Sequence, residues 1–172
     1  IEAALRAGFD SVEHGSYLDN ETVALFKVKG AYLVPTVLAG ATVVEMAAAP
    51  NSPLTVAQKD KARQVGPLMM DMLRKEKKGG VKIAFGTDSG VSRHGDNARE
   101  LELMVEAGFT PTEALHSATI VAAEHLGLSS EIGTIETGKT ADIIAVEGDP
   151  TTNISTMRNV KCVMARGVVA KR

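Results

Sequence analysis

Tryptophan is absent, and aromatic residues make up only 3% of the 172 residues. The core must then be built from Ala, Val, Leu, Ile and Met, and the stacking platforms used to hold single-stranded nucleic acid are missing. One cysteine, Cys162, rules out an internal disulfide and a Cys-rich zinc site. It lies in an apolar run and reads as an inert buried thiol. No apolar run reaches the roughly 18 residues of a membrane span, and no signal peptide is visible. The chain opens on Ile1, not Met, and "IEAALRAGFD" reads as the tail of a helix already under way. The natural N-terminus is therefore expected upstream, and the compartment stays open. Net charge is -2 with no clustered basic face, so neither nucleic acid nor membrane is an expected partner. The densest charge run, Arg74 to Lys78, reads as a solvated face suited to a helix C-terminus.

What is present is an alternation of strand-like and helical segments. Residues 1–7 read as a helix stopped by Gly8, followed by a short strand ending at His14-Gly15. Asp19 is the expected N-cap of a helix that Gly30 stops. "AYLVPTVLAG" is a second strand, continuous rather than alternating, as for a strand covered on both faces. Pro35 limits it. A short helix is expected over 41–49 and a long one over 54–78, with Leu68, Met69, Met72 and Leu73 on one side. The methionines there, Met70 included, read as core filler. "VKIAFGTDSG" is a third strand that opens into a loop near Asp88. Residues 96–107 are helical, and Thr110-Pro111-Thr112-Glu113 starts a helix running to about Leu126. This order predicts a parallel sheet. After Gly127 the pattern changes to short strands bounded by Gly, Asp, Pro and Asn.

"GTIETGKT", Gly133 to Thr140, matches the phosphate-binding G-x-x-x-x-G-K-[ST] pattern. A working P-loop needs a buried strand before it and a helix after it. Here a helix end and a polar loop precede it, and the strand-like Ile143–Val146 follows. The match is read as two glycine turns with Lys139 exposed, and nucleotide binding through 133–140 is rejected.

Candidate chemistry sits at two strand ends. His14 closes the first strand and Asp88 the third. In α/β folds that edge binds ligands, and imidazole nitrogen with carboxylate oxygen suits zinc. Alone, a strand-end His is often a loop-anchoring hydrogen bonder and "TDSG" an Asx turn. Catalytic zinc usually has three protein ligands. His94, with Arg93, can face the same pocket and contact an anionic group of a substrate. His116 and His125 read as helix-surface or packing residues.

The segments "AGFDSVEHGSYLDNETVALFKVKGAYLVPT", "GTDSG", "NARELELMVEAGFTPTEALHSAT" and "GTIETGKTADIIAVEGDP", in that order, resemble the amidohydrolase superfamily in its imidazolonepropionase-like, Xaa-Pro dipeptidase-like branch. The resemblance implies an α/β fold: the C-terminal part of a metal-dependent (β/α)8 TIM-type barrel, strands six to eight, plus the C-terminal share of a small β-sandwich. It implies a partial barrel over 1–127 and sandwich over 128–172. His14 becomes the strand-six metal ligand. Asp88 becomes the strand-eight aspartate that ligates metal and moves protons. Zn2+ or another divalent metal, one or two ions, is the implied cofactor. The implied partner is a small-molecule or dipeptide substrate, and a homo-oligomer is compatible. The family's strand-one His-x-His, strand-four lysine and strand-five histidine have no counterpart, and a whole barrel takes about 250 residues. The expectation is an incomplete piece of a hydrolase of amide or related C–N bonds, inactive alone, the alternative being a non-catalytic structural or interaction remnant.

Overall fold

A computed structural model describes residues 1–172. Three short parallel strands, β1 (Ser11–Glu13), β2 (Tyr32–Val34) and β3 (Lys82–Ile83), form a sheet in the order β1-β2-β3. Their register pairs Val12 with Leu33 and Leu33 with Ile83. Helix α1 (Glu2–Ala7) precedes β1, α2 (Asn20–Lys29) links β1 to β2, and α3 (Val37–Ala48) with α4 (Val56–Gly79) links β2 to β3. Helices α5 (Ala98–Glu106), α6 (Pro111–Ser117) and α7 (Ile120–His125) follow. The chain ends in an antiparallel sheet, β4 (Ile143–Val146), β5 (Val160–Ala165) and β6 (Val168–Lys171), with a 3-10 helix over Ile154–Arg158.

Leu33 of the middle strand is fully buried, and Leu5, Phe26, Leu73 and Met104 from the surrounding helices pack in the same core. Ile154, from the 3-10 helix, belongs to that core as well. Arg158 at the end of that helix pairs with Glu102 at 2.6 Å and Asp96 at 3.1 Å.

Local signals explain most helix starts. Asp19 accepts from the Thr22 amide at 2.8 Å, and Gly30 closes α2 in the left-handed region at φ 68°. Thr110 and Glu113 form a reciprocal capping box with Pro111 at the first helical position. Thr110→Ala is expected to cost about 1 kcal/mol, read as a lower urea midpoint at unchanged m-value.

Several expectations need correction. Helix α3 begins at Val37, not 41, because the chain turns at Thr36 immediately after Pro35 and a carboxylate from α5 receives its first amides. The helix expected from Thr110 to Leu126 is two helices, broken at Ala118-Thr119 with Thr119 at φ -127°, ψ -85°. There the Thr119 hydroxyl bonds the Leu115 carbonyl at 2.8 Å and the Ser117 carbonyl accepts from the Phe85 amide at 3.0 Å. Both interactions compete with helix continuation. Leu68 is exposed while Met69, Met72 and Leu73 are buried. The charge run on α4 is not wholly solvated, since Glu76 is fully buried. Cys162 is half-buried, because β5 belongs to a sheet whose faces are only partly covered. Lys139 is not exposed: its side chain keeps 15% of its accessibility, with Nζ on Thr134 Oγ1 at 2.6 Å. The following element is strand β4, so the helix that a phosphate site needs is absent.

Candidate active site

The carboxyl ends of the three parallel strands share an unusual backbone. His14 after β1, Thr36 after β2 and Asp88 after β3 have φ of 65°, 47° and 50°. Only Arg166 joins them among non-glycine residues. Left-handed geometry is disfavoured for side chains with a Cβ and most of all for β-branched ones. Residues held there cost on the order of 1–3 kcal/mol each and gather at functional sites. Gly15 extends the left-handed turn past His14 at φ 67°; a Cβ there would stand 2.7 Å from Leu33 Cδ1.

His14 and Asp88 line one cavity of about 520 Å³. Its walls come from α3 and α4, which cross the strand ends and present Ala39, Val43, Val65 and Met69. Both candidate residues are exposed to this space. His14 Nδ1 lies 2.6 Å from Thr36 Oγ1, and its amide donates to the Val34 carbonyl at 3.0 Å. The Asp88 side chain makes no protein hydrogen bond or ion pair, while its backbone carbonyl accepts from Val91 at 3.2 Å. The loop beyond is braced by Asn97, whose Nδ2 donates to Thr87 Oγ1 at 3.1 Å and Ser89 Oγ at 3.2 Å.

Arg93 and His94 are exposed on the loop after Asp88 and are not among the residues lining this cavity. The cation that does line it is Lys61, beside Gln58, both on α4. Lys61 forms no ion pair; its Nζ donates to Tyr17 Oη at 3.2 Å and sits 5.4 Å from the Tyr17 ring centre. No sequence signal separates Lys61 from the other charged residues of α4. His116 is exposed on α6, and His125 is half-buried with its ring 4.8 Å from that of Tyr32.

Two carboxyls are buried, Glu100 beside the start of α3 and Glu76 in the last turns of α4. Glu100 on α5 accepts from the Val37 amide at 3.0 Å and the Leu38 amide at 2.6 Å. Burial raises its pKa to about 7, against the opposing pull of those two amides. Glu76 on α4 has both carboxyl oxygens buried without a partner. Burial lifts it to about 7, with nearby Lys75 pulling the other way.

A donor set for a divalent metal is present in kind. If Nδ1–H donates to Thr36, His14 Nε2 carries the lone pair, and the Asp88 carboxylate is unengaged. It is short in number, since no group of three His, Cys, Asp or Glu side chains gathers anywhere in the chain.

A strand-end site on a parallel α/β layer is shared by many folds, and comparison with known proteins gives the family. The Amidohydrolase family model matches residues 1–170, and the chain belongs to that family. Ochratoxinase from Aspergillus niger is 35% identical over 166 residues, which are 95% of this chain and 33% of that protein. A solved Xaa-Pro dipeptidase with bound methionine in its active site superposes with a TM-score of 0.94 at 42% identity, over 98% of this chain and 41% of that one. A putative prolidase from Bifidobacterium longum gives a TM-score of 0.87 at 33% identity, over 98% of this chain and 44% of that one. The chain thus spans less than half the length of these relatives. Its α/β architecture is that of the C-terminal part of the amidohydrolase (β/α)8 barrel with the C-terminal share of a small β-sandwich.

Proposed function

We propose that these residues supply part of the active centre of a metal-dependent amidohydrolase that cleaves amide or peptide-like C–N bonds, dipeptides among its substrates. The observation that carries this reading is the meeting of His14 and Asp88 on one cavity at the carboxyl ends of parallel strands. His14 through Nε2 and Asp88 through its carboxylate would hold a divalent ion such as zinc, with the remaining donors supplied from outside these residues. A bound ion of this kind lowers the pKa of its water toward roughly 7 and polarises a carbonyl. Asp88, free of protein partners, would take a proton from an attacking water at one carboxylate oxygen and return it to the leaving nitrogen. Lys61, without an acidic partner, faces a substrate carboxylate, and the apolar walls from α3 and α4 take the substrate side chain. The likeness to a Xaa-Pro dipeptidase and a prolidase supports a dipeptide with a free carboxyl end.

The test is release of free amino acid from a panel of Xaa-Pro and other dipeptides by the whole protein that carries these residues. The expected result is hydrolysis that a chelator abolishes and zinc restores. Lys61→Met should raise KM about tenfold for dipeptides with little change in kcat, and should leave their C-terminal amides unaffected. The 172-residue chain alone should bind zinc weakly and turn over nothing. The second reading, a non-catalytic remnant, is favoured by the gathering of fewer than three donors. It gains if the whole protein hydrolyses no member of the panel. Tight stoichiometric zinc binding with turnover by the isolated chain would overturn the view of these residues as an incomplete site.

A further inference from the structure

We propose that Thr36 and Glu100 are positioning residues that fix the tautomer and direction of the His14 imidazole. The functional consequence rests on His14 acting as proposed above; the hydrogen-bond chain itself does not.

Thr36 stands at the N-cap of α3, where a threonine ordinarily accepts a hydrogen bond from an amide of its own helix. Its side chain makes no such bond. Its hydroxyl lies instead 2.6 Å from His14 Nδ1, across the gap between neighbouring strand ends. The first amides of α3 are left without their usual local partner. They are taken by Glu100, whose two carboxyl oxygens separately accept the Val37 and Leu38 amides from another helix. The cap has therefore been supplied from a distance, and the threonine hydroxyl is free for the histidine.

The backbone at Thr36 points the same way. Glycine or asparagine would sit comfortably at φ 47°. A buried β-branched residue there is strained, and its side chain offers nothing to the helix start, which it serves only through its carbonyl, bonded by the Ala39 amide at 3.1 Å. What it does offer is a hydroxyl at the correct height beside His14. Glu100 holds the turn from behind by gripping the two residues that follow Thr36. An imidazole whose Nδ1–H is donated to a fixed oxygen presents Nε2 as an acceptor in one direction, which is how outer partners orient a metal-ligating histidine. Glu100 thus acts on His14 through two peptide units and one hydroxyl, without touching it.

The experiment is long-range 1H–15N correlation NMR of the imidazole rings in the metal-free, 15N-labelled chain. The pH is set about two units above the ordinary imidazole value near 6.5. Neutral histidine free in water favours the Nε2–H form, so the Nδ1–H form is a distinctive signature. The wild-type chain should show His14 mainly as Nδ1–H, with His94 and His116 as internal references for exposed rings. Thr36→Val keeps the branched shape and removes the hydroxyl, and should return His14 to mainly Nε2–H. Thr36→Ser should retain the wild-type form. Glu100→Gln, which can satisfy only one of the two amides as an acceptor, should give an intermediate population. A wild-type His14 that is mainly Nε2–H, or a Thr36→Val spectrum unchanged at His14, would overturn the proposal. If Thr36→Val does not fold, the wild-type tautomer and Thr36→Ser still decide it. Because no metal or substrate is used, failure here leaves the hydrolase reading standing. Absence of hydrolysis with an Nδ1–H His14 would remove that reading and keep the positioning chain.

Discussion

Glu100→Ala is expected to destabilise the chain by about 3–5 kcal/mol, a large part of the stability of a domain this size. The carboxylate is the only group that receives the Val37 and Leu38 amides, and all three residues are buried. Truncation leaves two buried donors without acceptors, at roughly 1–3 kcal/mol each, and opens a void where the side chain stood. No local residue can compensate, because Thr36 turns its hydroxyl away from the helix. Glu100→Gln should lose about half as much, since its single carbonyl oxygen serves one amide while its NH2 faces the other. Urea unfolding of the three proteins at one pH checks the ranking. A Glu100→Ala protein within about 1 kcal/mol of wild type would show that the α3 start needs no remote cap.

Glu76→Met is expected to stabilise the chain, by an amount that grows with pH. Both Glu76 oxygens are buried and unpartnered. Its pKa stands at about 7 in the fold against an ordinary 4.5, with burial the main cause. The folded state therefore holds the proton more tightly than the unfolded chain. The contribution of this group favours the fold fully below pH 4.5. It fades as the pH rises through the interval up to about 7, by about 3 kcal/mol in all. Methionine has similar length and no titrating atom. Its advantage over wild type should be larger at about pH 8 than at about pH 4 by that same order. Glu100 titrates in the same interval with the same sign, so wild type and Glu76→Met should share a residual pH slope that Glu100→Gln removes. Unfolding midpoints measured at both pH values decide the matter; an advantage independent of pH, or a loss at pH 8, would contradict the assignment.

Legibility in the sequence followed the distance over which each feature is held. Asp19, Gly30 and the Thr110–Glu113 box act within their own turns, and their helices begin or end where local chemistry says. The start of α3 was misplaced because its cap comes from Glu100, far along the chain. The break at Thr119 has a local part, the Thr119 hydroxyl on the Leu115 carbonyl, and a remote one, the Phe85 amide on the Ser117 carbonyl, and the remote one is encoded in no helical periodicity. His14 is readable because β1 stops at Glu13 and the chain must turn; Asp88 lies in the loop beyond β3, which ends at Ile83, shorter than the apolar run leading to Asp88 suggests. Their left-handed backbone is not readable, since neither they nor Thr36 is glycine. Lys61 becomes a wall residue only when α3 and α4 fold over the strand ends. Closeness to Asp88 in sequence, by contrast, did not bring Arg93 and His94 into the cavity lining.

Ile154 plugs the principal core from a helix that lies beyond the change from parallel to antiparallel sheet. Arg158 beside it adds a two-pronged pair with Glu102, Nε and Nη2 each 2.6 Å from a carboxylate oxygen, and a contact to Asp96 at 3.1 Å, so the anchoring is apolar and ionic together. Severing the polypeptide near Gly127 would therefore not yield two self-sufficient modules. The forward piece would be left with an open socket where Ile154 belongs, and recombination or domain shuffling at that seam would carry a folding penalty into both products.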